Sequence, residues 1–479
     1  MNKNILIIGA GPLPNDTVGI REAAGLRTHQ FTKTIANEGH SITLVCIHNN
    51  DNFTEQVKKD KTDQNSYKNT TILRLHRHDK NLKKTIQNLL NKHNRQNKTD
   101  KTDNRIDNKI DNKIDIIFGI NTFPSFIAAQ ICPQNTPLWT DLNGWIMAES
   151  QARGFFEKTN IHFANAWRQE KFILKRADKI STVSTAQKFC TIGEMASIGN
   201  ITFQNFHTIN VYSLPNTTEF FKTDKQDNID TKKRTQKLFK GVKTPKESII
   251  ISHIGGYNNW VDTSTLFTAI DNAMSTCPYL YFVSTGGAIK NVSNKAFSEF
   301  LDKIDTSKHK ERYIFLGWIQ TEDMHKVYQE SDIGINIDFS CIETQTGARN
   351  RLNEMLKFQL PIITTGESEI AENIGKYGAG ECVPNENPNA VTTAILKMAT
   401  MAKESNLSQY KKKCEFMHTQ IYNSKIIMQP VLDFINTPII RDKKNTQQNT
   451  PLLFVKNALW YLKKNGIQQS FNKFIQRFL

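Results

Sequence analysis

The sequence predicts an α/β protein of two facing Rossmann-like domains, each a parallel sheet wrapped by helices, with a C-terminal helical extension. Short apolar runs alternate with amphipathic stretches in both halves, which is the rhythm of a doubly wound sheet. The chain has 479 residues, too many for one ordinary core. A charged, polar stretch from 222 to 246 separates the two rhythmic halves. The expected division is 1–215 for the first domain with a low-complexity insertion at 51–114, 216–247 for a linker, 248–430 for the second domain, and 431–479 for a basic amphipathic tail.

The first half opens with a strand over Asn4 to Ile8, then a loop and amphipathic helix from Gly25 to His40, then a strand over Ser41 to Cys46. This βαβ order demands a parallel sheet. Residues 51 to 114 alternate Asn, Lys, Asp and Gln, a composition that buries too little to form a core and predicts a partly disordered surface insertion. Strands resume at Ile116 to Ile120 and Leu138 to Leu142; a helix over Ala164 to Ala177 precedes a strand at Lys179 to Val183. The second half places strands at Ile249 to Ile254, Tyr279 to Ser284, Tyr313 to Leu316, Ile333 to Ile337 and Ile362 to Thr364.

Composition bounds the chemistry. A formal net charge of +16 favours anionic partners or reflects a Lys/Asn-rich proteome. Seven cysteines without CxxC or Cys/His pairing argue against a zinc site or a disulfide framework. No apolar run is long enough for a signal peptide or a membrane span, so a cytoplasmic location is expected.

The most informative stretch runs from Gly347 to Thr365. Arg349 and Arg351 fall near a predicted helix N-terminus, where the dipole and free N–H groups favour an anion, and arginine forks suit phosphate oxygens. Glu354 follows and, accepting only when ionised, suits ribose or sugar hydroxyls. A ligand with a diphosphate and hydroxyls fits this set. Its alternative is a solvated helix start.

Glu354 and the strand entry Leu360-Pro361-Ile362-Ile363 resemble the donor-binding helix and strand of family 4 glycosyltransferases of the GT-B fold. The family's first glutamate falls at Thr346, with Glu343 nearby. Pro215-Asn216 resembles the family's crossover between domains, and Gly317 its turn beside the nucleotide base. The resemblance implies a nucleotide-diphosphate sugar as co-substrate, retention of anomeric configuration, no other cofactor and no bound metal. It implies Gly25, Arg27, Gly256, Gly317, Thr346, Arg349, Arg351 and Glu354 at the donor, with Glu354 catalytic. The family's usual cation after Gly256 is absent; Tyr257, Asn258, Asn259 and Trp260 stand there.

Further candidates keep two readings each. Asp141, in Asp-Leu-Asn-Gly at a strand end, is either a helix-capping turn or a catalytic group on the cleft side, and Glu149 is either a second carboxylate or a solvated helix face. Gly9-Ala10-Gly11 invites a flavin or nicotinamide reading but lacks the third glycine. The segment from Lys443 to Leu479 has no acidic residue and sets Ile467, Phe471, Phe474, Ile475 and Phe478 on one helical face. That face either lies on an anionic membrane or packs back on the protein. The expected activity is sugar transfer to a glycan, lipid-linked or other cell-surface polysaccharide acceptor, on the inner face of the cytoplasmic membrane where the tail binds lipid, with no nucleic acid partner. The alternatives are a degenerate sugar-nucleotide sensor or scaffold, and an oxidoreductase resting on Gly9 and Gly11.

Overall fold

The computed structural model describes residues 2–14, 16, 22–49, 67–95, 113–208, 210–218, 239–245, 247–289, 295–320, 323–441 and the positions 459, 462, 463 and 466. Two all-parallel sheets form the framework, as expected. The first contains β1 (Asn4–Ala10), β2 (Ser41–His48), β3 (Thr70–His76), β4 (Ile116–Ile120), β5 (Leu138–Leu142), β6 (Lys179–Thr182) and β7 (Val211–Ser213) in the order β3-β2-β1-β4-β5-β6-β7. Its central strands β4 and β5 are buried along their whole length, which is why they appear in sequence as unbroken apolar runs.

Helices α1 (Ala23–Asn37), α2 (Leu82–Arg95), α3 (Thr122–Ile131), α4 (Ile146–Glu157), α5 (Ile161–Arg176) and α6 (Thr185–Ser197) cover this sheet. β3 and α2 lie inside the stretch expected to be a low-complexity insertion. There β3 pairs with β2 over seven residues, and α2 buries Leu82, Ile86 and Leu90 at helical spacing among lysines and asparagines. The insertion is therefore smaller than expected, and residues 96–112 of it fall outside the described set.

The second sheet contains β8 (Ile249–His253), β9 (Leu280–Thr285), β10 (Tyr313–Gly317), β11 (Ile333–Asn336), β12 (Ile362–Thr365) and β13 (Gly380–Val383), ordered β10-β9-β8-β11-β12-β13. Around it run α7 (Thr263–Thr276), α8 (Lys295–Asp305), α9 (Met324–Glu330), α10 (Ile342–Thr346), α11 (Asn350–Lys357), α12 (Glu369–Tyr377), α13 (Pro388–Lys403) and α14 (Ser408–Phe416). In each sheet the order reverses once, between β1 and β4 and between β8 and β11. Such switch points open crevices at the carboxyl ends of the strands.

The chain then returns to the first domain. Phe434 of α15 (Ser424–Asn436) packs edge-on against Phe118 and Trp139, and Met428 Sδ accepts from Gln30 Nε2 at 3.4 Å. The boundary expected at 430 falls inside this helix. At the domain junction Ser184 Oγ donates to the Thr346 carbonyl (2.6 Å), and Glu369 accepts from the Thr185 amide (2.5 Å).

Candidate functional site at the switch point of the second domain

The glycines at the ends of β8, β9 and β10 are built into one another. Gly255 takes φ +101° and Gly286 φ +74°, and a Cβ on Gly286 would stand 2.5 Å from the Gly255 backbone. The Gly286 amide donates to the Gly317 carbonyl (2.8 Å), and the Gly255 amide donates to Thr285 Oγ1 (3.0 Å). Trp318, 39% exposed, stands beside Gly256, where a Cβ would come within 3.0 Å of its ring. Bare backbone and one accessible aromatic thus form one side of the crevice.

Arg351 reaches into this loop from the first turn of α11. Its Nη2 donates to the Gly256 carbonyl (2.7 Å) and its Nη1 to His253 Nε2 (2.7 Å). Burial first, then the Arg351 charge, hold the His253 pKa well below its usual range, so the imidazole is neutral and cannot balance the guanidinium. Among the described residues no carboxylate hydrogen-bonds to Arg351; burial lowers its own pKa, opposed in part by the more distant charge of Asp338. A cation at a helix N-terminus without a counterion opposes the helix dipole, and a bound anion would relieve both charges.

Arg349 is different from its neighbour. Its Nε donates to Asp338 Oδ2 (2.6 Å), Nη2 to Glu343 Oε2 (2.7 Å) and Nη1 to Glu343 Oε1 (3.0 Å), while Trp260 lies 5.2 Å from the guanidinium carbon. The residue is buried and its two carboxylates outweigh burial, raising its pKa further. The expectation of a free phosphate-gripping arginine is corrected here: its fork is already filled. Glu343, near the position where the family's first glutamate was sought, is the partner that fills it.

Glu354 is buried on α11 and accepts a short hydrogen bond from the Tyr328 hydroxyl, whose ring stacks on Phe358 at 4.7 Å. Glu354 stands three positions beyond Arg351 on α11, so the two share one side of that helix. Gly256, Gly317, Arg351 and Glu354 are brought together; four other candidates are not.

Asp141 and Arg27, both with fully buried side chains, bind each other. Arg27 Nη2 donates to Asp141 Oδ1 (2.7 Å) and Nε to Oδ2 (3.0 Å), and Ser181 Oγ adds a third bond at 2.6 Å. Arg27 Nη1 also donates to Asn216 Oδ1 (3.1 Å), so the pair pins α1 to β5 and the crossover segment. This framework role replaces the catalytic and donor-binding roles expected of them. Gly25 lies within α1, not in a loop ahead of it; a Cβ there would fall 1.7 Å from the Pro12 carbonyl, so the glycine serves helix packing. Thr346 spends its hydroxyl on the Ile342 carbonyl (2.7 Å) and its own carbonyl on Ser184, which makes it a junction residue. Gly9 and Gly11, the basis of the oxidoreductase alternative, face Thr28 and Cys46 Sγ at 2.4 and 2.6 Å from ideal Cβ positions.

Across the crevice, Glu149 in the first turn of α4 projects toward Glu343 and Arg349. Its side chain reaches solvent although protein surrounds it, the situation of a group inside a concave cleft. That enclosure, reinforced by Glu343 and opposed by Arg349, pushes its pKa up to about 7. Sequence reasoning weighed Glu149 mainly as a solvated helix face. The missed signal was its place one turn beyond Gly144, whose φ of +95° folds the strand end back toward the helix. Among the described residues no group of three His, Cys, Asp or Glu is arranged to hold a metal.

Residues 249–401 match the model of a family described as glycosyl transferases group 1. Among solved structures, HepE of Anabaena, determined with UDP and glucose, has a TM-score of 0.59 at 11% identity, with 90% of this chain and 99% of that one aligned. Sucrose-phosphate synthase of Thermosynechococcus elongatus gives 0.60 at 13% identity over 91% and 98%. S. aureus TarM, determined with UDP, gives 0.56 at 12% over 91% and 100%. These likenesses are of fold. No curated protein sequence matches the chain.

Proposed function

We propose, because the chain has the GT-B fold and residues 249–401 match the model of a family described as glycosyl transferases group 1, that it transfers a sugar from a nucleotide-diphosphate sugar to a hydroxyl of a glycan, lipid-linked or other cell-surface polysaccharide acceptor. The observation that carries the reading is Arg351, a cation without a carboxylate partner among the described residues, set between a helix N-terminus and the Gly255-Gly256 loop. The diphosphate occupies that point. As the bond from the sugar to the diphosphate breaks, negative charge grows on the leaving oxygens, and Arg351 with the backbone amides around it stabilises that charge more than the ground state.

The remaining groups fall into place on either side. Trp318 offers its accessible face to the nucleobase. Glu354, held from behind by Tyr328, accepts from hydroxyls of the donor. Glu149 accepts the acceptor hydroxyl, and above its pKa its carboxylate takes the released proton or orients the hydroxyl for attack. Retention of configuration fits a leaving diphosphate that stays beside the attacked face, and none of these steps calls on a metal. The basic tail residues Lys443 to Leu479, outside the described set apart from four positions, favour work at the inner face of the cytoplasmic membrane.

Thermal-shift screening of a panel of nucleotide sugars and nucleoside diphosphates tests the reading, because a ligand that binds only the native state raises the transition temperature by mass action. The expected result is a shift with one nucleotide series and sugar release from its donor. A binder that shows the shift and releases no sugar would instead support the degenerate sensor or scaffold.

A further inference from the structure

Behind Glu149, the helices of the first domain bury an acid pair that the proposed transfer does not use. Glu170 of α5 lies within electrostatic reach of both Glu149 of α4 and Glu194 of α6. Glu170 is fully buried, and neither of its carboxyl oxygens receives a hydrogen bond from an N–H or hydroxyl group among the described residues. Glu194 is half-buried; its Oε1 accepts from Trp145 Nε1 (3.0 Å), and its Oε2 is likewise without such a donor. The two carboxyls stand at hydrogen-bond range of each other. Two carboxylates do not hold that distance with both ionised, so one proton lies between them. Glu194, already gripped by the indole, is the acceptor, and Glu170 keeps the proton.

The surrounding elements supply no cation to the pair. From α4, Glu149 adds negative charge, while Arg153 is bound to Glu157 (2.7 Å). On α6, Cys190 stands one turn before Glu194, and Lys188, six positions before it, points from another side of the helix. On α5 itself Arg168 bonds Asn165 (3.1 Å) and Lys171 is exposed. Helix α3, packed on α5, has no titratable residue. Lys179 of β6 donates to Asn210 and Tyr212 (3.1 Å each), and Glu343 of α10 is bound by Arg349. Burial first, then Glu194 and the charge of Glu149, hold the Glu170 proton well above the ordinary carboxylate range. Because the ionised Glu149 is one of those causes, the pair releases its proton only after Glu149 has lost its own.

The pair is tied to the crevice through one residue. Trp145, which Glu194 holds, is the N-cap of α4 and follows Gly144, and a Cβ on Gly144 would stand 2.4 Å from Glu149 Oε1. Glu194 thus anchors the turn over which Glu149 folds back. We propose that Glu170 and Glu194 share one proton and, through Trp145, position Glu149, as a proton-dependent brace on the acceptor side of the crevice. The inference rests on the role given to Glu149 in sugar transfer. When the proton leaves to solvent, two anions face each other with no cation between them. Glu194 then withdraws from the indole, and the start of α4 loses its anchor.

Glu170→Gln in the full chain tests the brace, because its amide donates to Glu194 at every pH. Glu194→Gln, which still accepts from Trp145 and donates to Glu170, is the second variant should the first not fold. Urea titrations across pH read the proton without any substrate. The unfolded chain releases this proton in the ordinary carboxylate range and the folded chain does not, so parental stability should fall as pH rises from that range toward the raised pKa of the pair. Glu170→Gln should fall less, and equal declines would overturn the shared proton. Trp145 emission, taken as the difference between the parent and Trp145→Phe, should change at alkaline pH and stay constant when Glu170 is Gln; emission indifferent to pH would overturn the brace. With a nucleotide sugar from the panel as donor, parental kcat/KM should rise as Glu149 ionises and then fall about tenfold per pH unit, the slope of one proton. Glu170→Gln should keep the rise and lose the fall, and the same fall in both proteins would overturn the proposal. Expected stability and emission without turnover of any donor would keep the brace and overturn the transfer reading.

Discussion

Arg27 and Asp141 meet in two parallel hydrogen bonds, 2.7 and 3.0 Å long, with neither side chain exposed. A charge pair so enclosed is poor evidence of net stabilisation, yet removing one partner leaves the other charged and dry. Asp141→Ala should therefore lower unfolding free energy by about 3–5 kcal/mol in urea titration. The folded fraction should bind nucleoside diphosphate with parental affinity. Full stability together with lost turnover would return Asp141 to a catalytic role.

Arg349 yields a related prediction with opposite electrostatics. Its removal leaves Asp338 and Glu343 buried without their shared cation, so Arg349→Ala should also destabilise by about 3–5 kcal/mol. The loss should shrink as pH falls, because Glu343, already raised in pKa by burial, then protonates more readily. Urea titrations at neutral and mildly acidic pH check this. A pH-independent loss would contradict it.

Glu149 makes the activity depend on pH in a stated direction. Its carboxyl is protonated below about 7 and can accept a proton only above it. The profile of kcat/KM should rise through that region, and Glu149→Gln should remove the rising limb while leaving calorimetric affinity for the nucleoside diphosphate intact. An unchanged rising limb in the variant would assign the titration to another group.

Trp318 separates base from phosphate. Trp318→Ala should weaken nucleoside diphosphate binding by about 1–3 kcal/mol, the range of a base–aromatic stack. Inorganic pyrophosphate, which has no base, should bind the variant and the parent alike. Equal losses for both ligands would show that the ring shapes the loop instead.

The fold was legible because fully buried parallel strands such as β4 and β5 leave unbroken apolar runs, and these do not depend on distant partners for recognition. β3 and α2 were hidden by composition. Three apolar residues on one face of α2 suffice to cover an edge of the sheet, while the lysines and asparagines around them dominate any average. The candidate site was half legible. Arg349 and Arg351 stand two positions apart on one helix start, and sequence shows no difference between them; the difference lies in the ion pairs, since Asp338 and Glu343 both bond to Arg349 while Asp338 acts on Arg351 only through its charge at longer range. Arg27 and Asp141 are 114 residues apart, so their mutual neutralisation is tertiary and leaves no local pattern.

The central claim is that Arg351, and not Arg349, meets the diphosphate. Calorimetric titration of Arg351→Ala with the nucleoside diphosphate identified by screening tests it most directly, with Arg351→Lys alongside. A charge-assisted contact in a sheltered crevice is worth about 2 kcal/mol, so affinity should fall roughly thirtyfold in the alanine variant. Lysine should restore only part of it, since a point charge cannot reproduce the guanidinium fork. Parental affinity in a folded Arg351→Ala protein would contradict the account.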